Sequence, residues 1–223
     1  MEREPRILIV GRGAVASAVE RLCIAESRKY TYFPWEGGHV PDVAIHVGSG
    51  REFGDLLQFC SSAGRNIPIL QCSSPIEPHK TPVRSAVFDV PNAALPLLLF
   101  LEFAYQLSRH VLVSDLGSHN WRLEESHQES KQRVSSTAET IAKHLQIPIE
   151  HVIKDRSRPE PHAYHHLKGV AAGVEMDLSF KVEGRRPYAE GMIYLARRLH
   201  GRGKFQKLEP RWYAATELLT TFW

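Results

Sequence analysis

The stretch Arg6-Ile-Leu-Ile-Val-Gly-Arg-Gly13 is an apolar run of strand length that ends in two closely spaced glycines. Continuous apolar runs bounded by turn residues are typical of strands buried on both faces, as in parallel sheets. From Ala14 to about Arg28 the apolar residues recur at helical spacing instead, at Val15, Val19, Leu22 and Cys23. The segment therefore predicts a strand, a glycine turn and a helix, which is the first βα unit of a parallel sheet.

Gly11 and Gly13 match the first two positions of the G-x-G-x-x-G pattern, and Ala16 is the small-residue variant of the third. In this pattern glycine lets a pyrophosphate approach the backbone, and the helix start supplies free N–H groups and a positive dipole end. The alternative is a tight turn that binds nothing. The pattern favours NADPH or NADH, bound by the residues of the turn, namely Gly11, Arg12, Gly13, Ala14, Val15 and Ala16.

The sequence leaves the choice between NADH and NADPH open. Glu36 follows the second predicted strand, where it could accept a hydrogen bond from a ribose 2′-hydroxyl or stand as a solvated turn residue. Arg12 or Lys29 could instead meet the 2′-phosphate of NADPH.

The first half of the chain continues the alternation of strands and helices that is typical of a doubly wound α/β sheet. The predicted strands are residues 30–35, 43–47 and 67–71, and the predicted helices are residues 53–63 and 95–103. After about His110 the pattern becomes that of an α+β unit with an open mixed sheet. This part has predicted strands at 111–115, 121–127 and 176–182, a helix at 137–145 and a polar loop at 155–161.

Two further helices are predicted at residues 187–199 and 212–219. We therefore predict a Rossmann-type dinucleotide-binding domain made of residues 1–111 and 185–223. A smaller domain of residues 112–184 is expected to bind substrate and to mediate oligomerisation.

Composition excludes several classes of protein. The 223 residues carry a formal net charge of +3 with no dense block of Lys or Arg, which argues against nucleic-acid binding. The three cysteines are widely spaced and lack a CxxC pair, which indicates a reducing compartment without disulfides or a structural zinc. No apolar signal region precedes the first strand, and the longest apolar run, 95–103, is too short to span a membrane. We expect a cytoplasmic protein with no membrane association.

Glu125-Ser-His-Gln-Glu-Ser-Lys131 forms a second cluster, and Ser135-Ser-Thr137 follows it at a helix start. A reductase acting on a polarised C=N or C=C bond needs a proton donor and cations for substrate carboxylates. His127 and Lys131 supply an acid and a cation, and a helix start binds anions. The alternative is a capping box, Ser136-Thr-Ala-Glu139, beside a solvent-exposed histidine and lysine.

This segment resembles the signature E-x-H-H-x-x-K-x-D-A-P-S-G-T-A of the 4-hydroxy-tetrahydrodipicolinate reductases, formerly called dihydrodipicolinate reductases. After a one-residue deletion, the matching positions are Glu125, His127, Lys131, Ser135, Thr137 and Ala138. Residues 6–17 are similar to the family's N-terminal V-x-G-x-x-G-x-M-G segment, and residues 71–74 stand at its G-T-T-G turn. Residues 176–199 resemble its closing I-x-H-x-A-x-x-R-x-x-F-A-x-G-A stretch.

The resemblance implies roles for the residues of the second cluster. His127 would donate a proton, Lys131 would polarise or hold the substrate, and a carboxylate would be bound by Ser135, Ser136 and Thr137. It also implies NADH- or NADPH-dependent reduction of a cyclic unsaturated imine dicarboxylate in diaminopimelate and lysine biosynthesis. The family usually forms a homotetramer through the open sheet of its second domain, so a tetramer or dimer is expected.

The chain also departs from the family pattern. Gln128 replaces the second histidine and is expected to contact substrate, and Ser136 replaces the glycine of S-G-T. The G-T-T-G turn has lost both glycines, and two residues of the altered turn, Gln71 and Ser73, are expected at the cofactor site. Two alternatives stay open: a reductase of another imine or enamine acid, or a non-catalytic nucleotide-binding paralogue.

The segment Pro161-His-Ala-Tyr-His-His166 contains two histidines spaced like zinc ligands. No cysteine or carboxylate nearby in the sequence completes a ligand set. We therefore expect no metal site.

Overall fold

The computed structural model describes residues 3–62, 65–73, 82–90, 92–109, 121–160, 162–171, 174–203 and 208–220. The chain divides by packing into two compact units, one of Met1–Leu95 with Arg185–Trp223 and one of Pro96–Gly184. The sequence predicts a first domain that runs to residue 111, whereas packing groups the helix from Pro96 onward with the second unit. The predicted strand at 111–115 lies outside the described residues.

The first unit contains a six-stranded, all-parallel sheet. Its strands are β1 Ile7–Val10, β2 Tyr30–Tyr32, β3 Val43–His46, β4 Ile69–Gln71, β5 Val87–Asp89 and β10 Trp212–Ala214, in the order β10-β5-β4-β3-β1-β2. The central strands β1, β3 and β4 are buried at every position, as expected for a parallel sheet covered on both faces. The helices are α1 Ala14–Ala25, α2 Phe53–Ser61, α5 Arg186–Gly203 and α6 Ala215–Thr220. The predicted Rossmann-type sheet is confirmed.

The C-terminal segment corrects one prediction, because residues 212–214 form strand β10 and the helix begins only at Ala215. Strand β10 extends the sheet by pairing with β5, which the sequence had not predicted. Aromatic side chains favour strands. Here the ring of Tyr213 stacks on that of Phe88, its partner on β5, with 4.5 Å between the ring centroids. A segment of three residues is too short for its periodicity to distinguish a strand from a helix, so the sequence could not show the pairing of β10 with β5.

The second unit contains a four-stranded mixed sheet. Its strands are β6 Trp121–Gln128, β7 Ile153–Arg158, β8 His162–Ala171 and β9 Val174–Glu183, in the order β7-β6-β8-β9. Strands β6 and β7 are parallel, and the other two pairs are antiparallel. The helices are α3 Leu95–Ser108 and α4 Ser136–His144, with a 3₁₀ turn at Ile149–His151. The predicted α+β unit with an open mixed sheet is confirmed.

Strand β7 corrects the prediction of a polar loop at 155–161, because residues 153–158 pair with β6. Its residues are mostly exposed, which is possible because β7 lies at the edge of the sheet. Edge strands commonly carry charged residues, so neither apolar alternation nor burial marked this strand in the sequence.

The alternation predicted for β9 is confirmed. Met176, Leu178 and Phe180 are half-buried and Val182 is buried, while the residues between them are exposed. The ring of Phe180 stacks on Phe100 of α3, with 4.1 Å between ring centroids. Helix α3 therefore packs on the apolar face of β9.

Among the helices of the described chain, none has both the length and the apolar character needed to cross a membrane.

Candidate functional site

The glycine turn after β1 has the geometry that its sequence predicts. Gly11 has a φ of +125°, and a Cβ placed on it would lie 2.8 Å from the backbone nitrogen of Gly48. Both the dihedral angle and this close approach require glycine. Gly13, the N-cap of α1, has an ordinary φ of −79°, and a Cβ there would meet no described atom within 4 Å. The space beside the helix start is therefore open.

The start of α1 fits an anionic group. Gly13 offers no side chain to cap the helix, and the first turn contains no acidic residue. The first N–H groups and the positive dipole end consequently face outward without a carboxylate to neutralise them. Arg12 is exposed beside them, and Ala16 is fully buried where the helix packs on the sheet. These residues could hold the pyrophosphate of a dinucleotide.

Gln71 and Ser73, both predicted at the cofactor site, belong to an internal hydrogen-bond network. The fully buried Gln71 donates from Nε2 to the Ser73 carbonyl at 2.8 Å, and its Oε1 accepts from Nδ1 of the buried His46. The Ser73 hydroxyl lies 3.2 Å from the same nitrogen. The Gln71 side chain is thus held by the protein itself, and Ser74 lies outside the described residues.

Glu52 is a neighbour of this network that the sequence did not indicate. Its carboxylate accepts from the Ser49 amide at 3.0 Å and the Ser49 hydroxyl at 3.1 Å, and lies 3.3 Å from Nε2 of His46. Burial raises the pKa of Glu52, but hydrogen bonds and the nearby His46 outweigh this and lower it. By contrast, Glu36 is exposed beyond the end of β2, in line with either of its predicted roles.

In the second unit, β6 directs a set of polar side chains toward the buried face. Trp121 and Leu123 share this face with Glu125 and His127, as their alternation predicted. Strand pairing sets His165 of β8 directly opposite Glu125. Glu125, His127, Ser135 and His165 are all less than 9% exposed, so their polar atoms depend on protein partners.

His127 is held in one tautomer by the backbone. Its Nδ1 donates to the His162 carbonyl at 3.0 Å, while the buried Nε2 has no hydrogen-bond partner among the described residues. Burial, followed by repulsion from Lys131, lowers the pKa of His127 to about 4. The imidazole is therefore neutral at pH 7 with an unshared pair on Nε2. This nitrogen can therefore accept a hydrogen bond.

Lys131 is a half-buried cation. Its amide donates to the Gln128 carbonyl at 2.9 Å in the turn after β6, but its ammonium forms no ion pair with any residue that the structure describes. Burial lowers the pKa of Lys131, and the carboxylate of Glu125 partly opposes that shift. An unpaired ammonium in such surroundings favours an anionic ligand.

The start of α4 divides the predicted serine and threonine ligands into two groups. Ser135 is the N-cap: its hydroxyl accepts from Ala138 N at 3.1 Å and contacts His165 Nε2 at 3.0 Å, and its amide donates to Glu125 at 3.0 Å. The capping-box alternative, which needs Ser136 as the N-cap and Glu139 three residues later, is therefore wrong, because Ser135 caps the helix and is followed at the third position by Ala138. The amides of Ser136 and Thr137 have no partner within the described ranges, and they could bind a carboxylate.

Glu125, His127 and His165 place three ligand-type atoms within 4.8 Å of one another. No carboxylate nearby in the sequence completes a ligand set with His165, but the pairing of β6 with β8 brings Glu125 directly opposite it. Oε1 of Glu125, however, accepts from the Arg156 guanidinium, and Lys131 adds another positive charge nearby. Two cations against one carboxylate favour an anion over a metal cation at this position.

Arg156 is the other residue that the sequence did not indicate. It comes from β7, which had been interpreted as a loop, and a single arginine in a polar segment carries no signal of its own.

No family model and no curated protein matches the sequence. Among solved structures, the chain is similar to the dipicolinate-bound dihydrodipicolinate reductase from Paenisporosarcina sp. TG-14, with a TM-score of 0.69 and 12% identity over 95% of this chain and 98% of that chain. A weaker likeness, with a TM-score of 0.47 and 11% identity over 96% and 95% of the two chains, is found to the DAP dehydrogenase of C. glutamicum in complex with DAP. At 12% identity, the similarity to the reductase shows a shared two-domain fold.

Proposed function

We propose that this protein is an NAD(P)H-dependent reductase of a cyclic imine or unsaturated dicarboxylate, of the 4-hydroxy-tetrahydrodipicolinate reductase type. The observation that carries the proposal is the half-buried ammonium of Lys131, without a counter-ion among the described residues, beside the buried Nε2 of His127. This nitrogen forms no hydrogen bond with a described residue and lies 3.6 Å from Oε2 of Glu125. A cation without an ion pair, next to a histidine nitrogen without a hydrogen bond, indicates an anionic ligand that undergoes proton transfer. The shared fold with a reductase solved with dipicolinate, a cyclic dicarboxylate, supports the same substrate class.

The first unit would bind the cofactor, which supplies a hydride when bound. The uncapped start of α1 and the open space at Gly13 would accept the pyrophosphate. Arg12 would favour the 2′-phosphate of NADPH, whereas Glu36 would favour the ribose 2′-hydroxyl of NADH.

The second unit would hold the substrate. Lys131 and the free amides of Ser136 and Thr137 would bind a carboxylate, with Thr137 Oγ1 and Gln128 as further contacts. Ser135 would act indirectly, because its hydroxyl and its amide already have partners. Its role would be to cap the helix that presents the two amides.

His127 would donate the proton that completes the reduction. The ligand-free imidazole has a pKa of about 4, chiefly because of burial and then because of Lys131. A dicarboxylate bound to Lys131 would cancel that repulsion and would raise the pKa of His127. Binding of the substrate would therefore take up a proton at Nε2, and His127 would then deliver it to the reduced substrate.

One observation favours a divergent substrate as the second candidate. Where the family has a glycine turn, Gln71 is buried and hydrogen-bonded to His46 and Ser73. A different turn would suit another imine or enamine acid, with the same roles for His127 and Lys131.

For either substrate we propose a cytoplasmic homo-oligomer, a tetramer or dimer assembled through the sheet of the second unit. Sedimentation of the purified protein at several concentrations tests the assembly.

Cofactor binding provides the first test. NADPH or NADH should raise the melting temperature of the wild-type protein and change the nicotinamide fluorescence. The matched variant is Gly13→Asp, which fits the open space and caps the helix well, but places a negative charge where the pyrophosphate would bind. This variant should melt at or above the wild-type temperature and lose the cofactor effect. If neither cofactor affects the wild-type protein, the reductase proposal is wrong.

Turnover provides the second test. Oxidation of the reduced cofactor is followed with 4-hydroxy-tetrahydrodipicolinate, comparing wild type, His127→Ala and His151→Ala. A general acid contributes about 100-fold or more to the rate, so His127→Ala should lower kcat by at least about that factor. His151 is exposed in the 3₁₀ turn and serves as the control. Undiminished activity of His127→Ala would rule out the proton-donor role.

A further inference from the structure

Arg156 joins strand β7 to the segment that carries Lys131. Its Nε donates to the Lys131 carbonyl at 2.5 Å, and its Nη2 donates to the Arg133 carbonyl at 3.1 Å. The same Nη2 also forms an ion pair with Oε1 of Glu125. The side chain is 16% exposed, so these contacts are only weakly screened by water.

Glu125 extends this arrangement to the start of α4. Its side chain is fully buried, and its second oxygen accepts from the Ser135 amide at 3.0 Å. Burial raises the pKa of Glu125, but its hydrogen bonds with Ser135 and Arg156 outweigh this and lower it. The carboxylate is therefore ionised and can pair with the guanidinium at neutral pH.

The ion pair thus holds both ends of residues 131–135. Arg156 binds two carbonyls in the first part of the segment, and Glu125 binds the amide at its end. A guanidinium can do this because its donors are fixed in one plane, whereas an ammonium is a single point with freely rotating protons. The segment contains Lys131 and ends at the helix that presents the free amides of Ser136 and Thr137.

We propose that Arg156, through its ion pair with Glu125, is a positioning residue that sets the place of Lys131 and of the α4 amides for binding a dicarboxylate. The proposal rests on the proposed function, because it assigns Arg156 to the same anion site. Arg156 is not expected to contact the substrate.

The test measures the affinity of dipicolinate for four forms of the full-length protein: wild type, Arg156→Gln, Arg158→Gln and Lys131→Met. Arg158 lies two residues along the same strand, and its side chain contacts Tyr164 instead of the 131–135 segment. We expect Arg156→Gln to weaken dipicolinate binding at least tenfold, and Arg158→Gln to leave it within twofold of wild type. Hydrogen exchange of the Ser135 amide, measured by NMR or mass spectrometry, should accelerate in Arg156→Gln alone.

Arg156→Lys is the variant to use if Arg156→Gln does not fold, because lysine keeps a positive charge opposite Glu125. It should melt near the wild-type temperature, yet still bind dipicolinate several-fold more weakly because an ammonium cannot bridge both carbonyls. In Arg156→Ala, added guanidinium ion at non-denaturing concentration should restore part of the affinity.

The two proposals fail in different ways. If Lys131→Met weakens dipicolinate binding but Arg156→Gln and Arg156→Lys do not, the positioning role is wrong and the proposed function stands. If Lys131→Met has no effect on dipicolinate binding, the proposed anion site is wrong, and the positioning role falls with it.

Discussion

The glycine turn of the first unit and the 131–135 segment of the second are both short connections that lead into a helix, yet they are held differently. The glycine turn is determined by backbone geometry: Gly11 has a positive φ, and a Cβ on it would clash with the backbone of Gly48. The 131–135 segment is determined by side chains from other strands, above all Glu125 of β6 and Arg156 of β7. The first kind of site can be recognised from a few adjacent residues. The second exists only when distant strands pair.

Among single substitutions, removal of Glu125 should have the largest effect on the second region. Glu125→Ala would leave the Arg156 guanidinium without its counter-ion and the Ser135 amide without its acceptor, and should lower the free energy of unfolding by about 3 kcal/mol. Glu124→Ala is the control, because Glu124 pairs with Arg122 at the surface and should cost about 0.5 kcal/mol or less. Urea denaturation measures both. Equal losses would show that the buried pair does not organise the segment.

Gly11→Ala tests the first region. Alanine at position 11 would have to keep an unfavourable positive φ, and its Cβ would lie 2.8 Å from the Gly48 nitrogen. We therefore expect the free energy of unfolding to fall by about 2 kcal/mol. Gly13→Ala should change stability by less than about 1 kcal/mol, because its Cβ meets no described atom. Chemical denaturation of the two variants compares them directly. The proposed backbone control of the turn is wrong if they are equally stable.

Acid should act mainly on the second unit. Burial is the largest cause that lowers the pKa of both His127 and His165 from 6.5 to about 4. Between these values the unfolded chain binds more protons than the folded protein. The stability that these histidines contribute is therefore fully present above about pH 6.5 and is lost as the pH falls through about 4.

Urea midpoints between pH 7 and pH 4 would measure this loss, which approaches about 1.4 kcal/mol per pH unit for each histidine. His165→Gln should flatten the profile relative to wild type. His151→Gln, at an exposed position, is the matched control and should leave the profile unchanged. A wild-type profile that is flat over this range would contradict the neutral, buried state of the two rings.

Lys131→Met should have the smallest effect on stability and a clear one on binding. The substitution removes a half-buried ammonium that has no ion-pair partner in the described part of the chain, so the free energy of unfolding should stay constant or rise by up to about 1 kcal/mol. Dipicolinate affinity should fall at least tenfold. Lys143→Met, at an exposed position of α4, serves as the control for both measurements. A marked loss of stability would show that Lys131 has a structural role.

Local patterns predicted much of the fold. The apolar run of β1, the helical spacing of α1 and the alternation along β6 and β9 all correspond to observed elements. Strands β7 and β10 were missed because both lie at sheet edges. An edge strand needs little apolar surface, so its existence depends on the partner that it pairs with.

The candidate site was predictable only in part for a related reason. His127, Lys131 and the start of α4 follow one another in the chain, so their cluster was visible in the sequence. His165 joins them through the cross-strand pair with Glu125, and Arg156 through the parallel pairing of β6 and β7. Neither register can be derived from spacing along the chain.

The sequence by itself determined the parallel sheet, the glycine turn and the residue types of the second cluster, because these depend on local periodicity and on the dihedral freedom of glycine. Tertiary structure alone decided which of those residues are available to a ligand. It engages Ser135 and Gln71 in internal hydrogen bonds. Among the described residues, it leaves the ammonium of Lys131 without an ion pair and Nε2 of His127 without a hydrogen bond. The physical reason is that burial and hydrogen-bond partners are set by residues distant in the chain, and these determine charge state and availability.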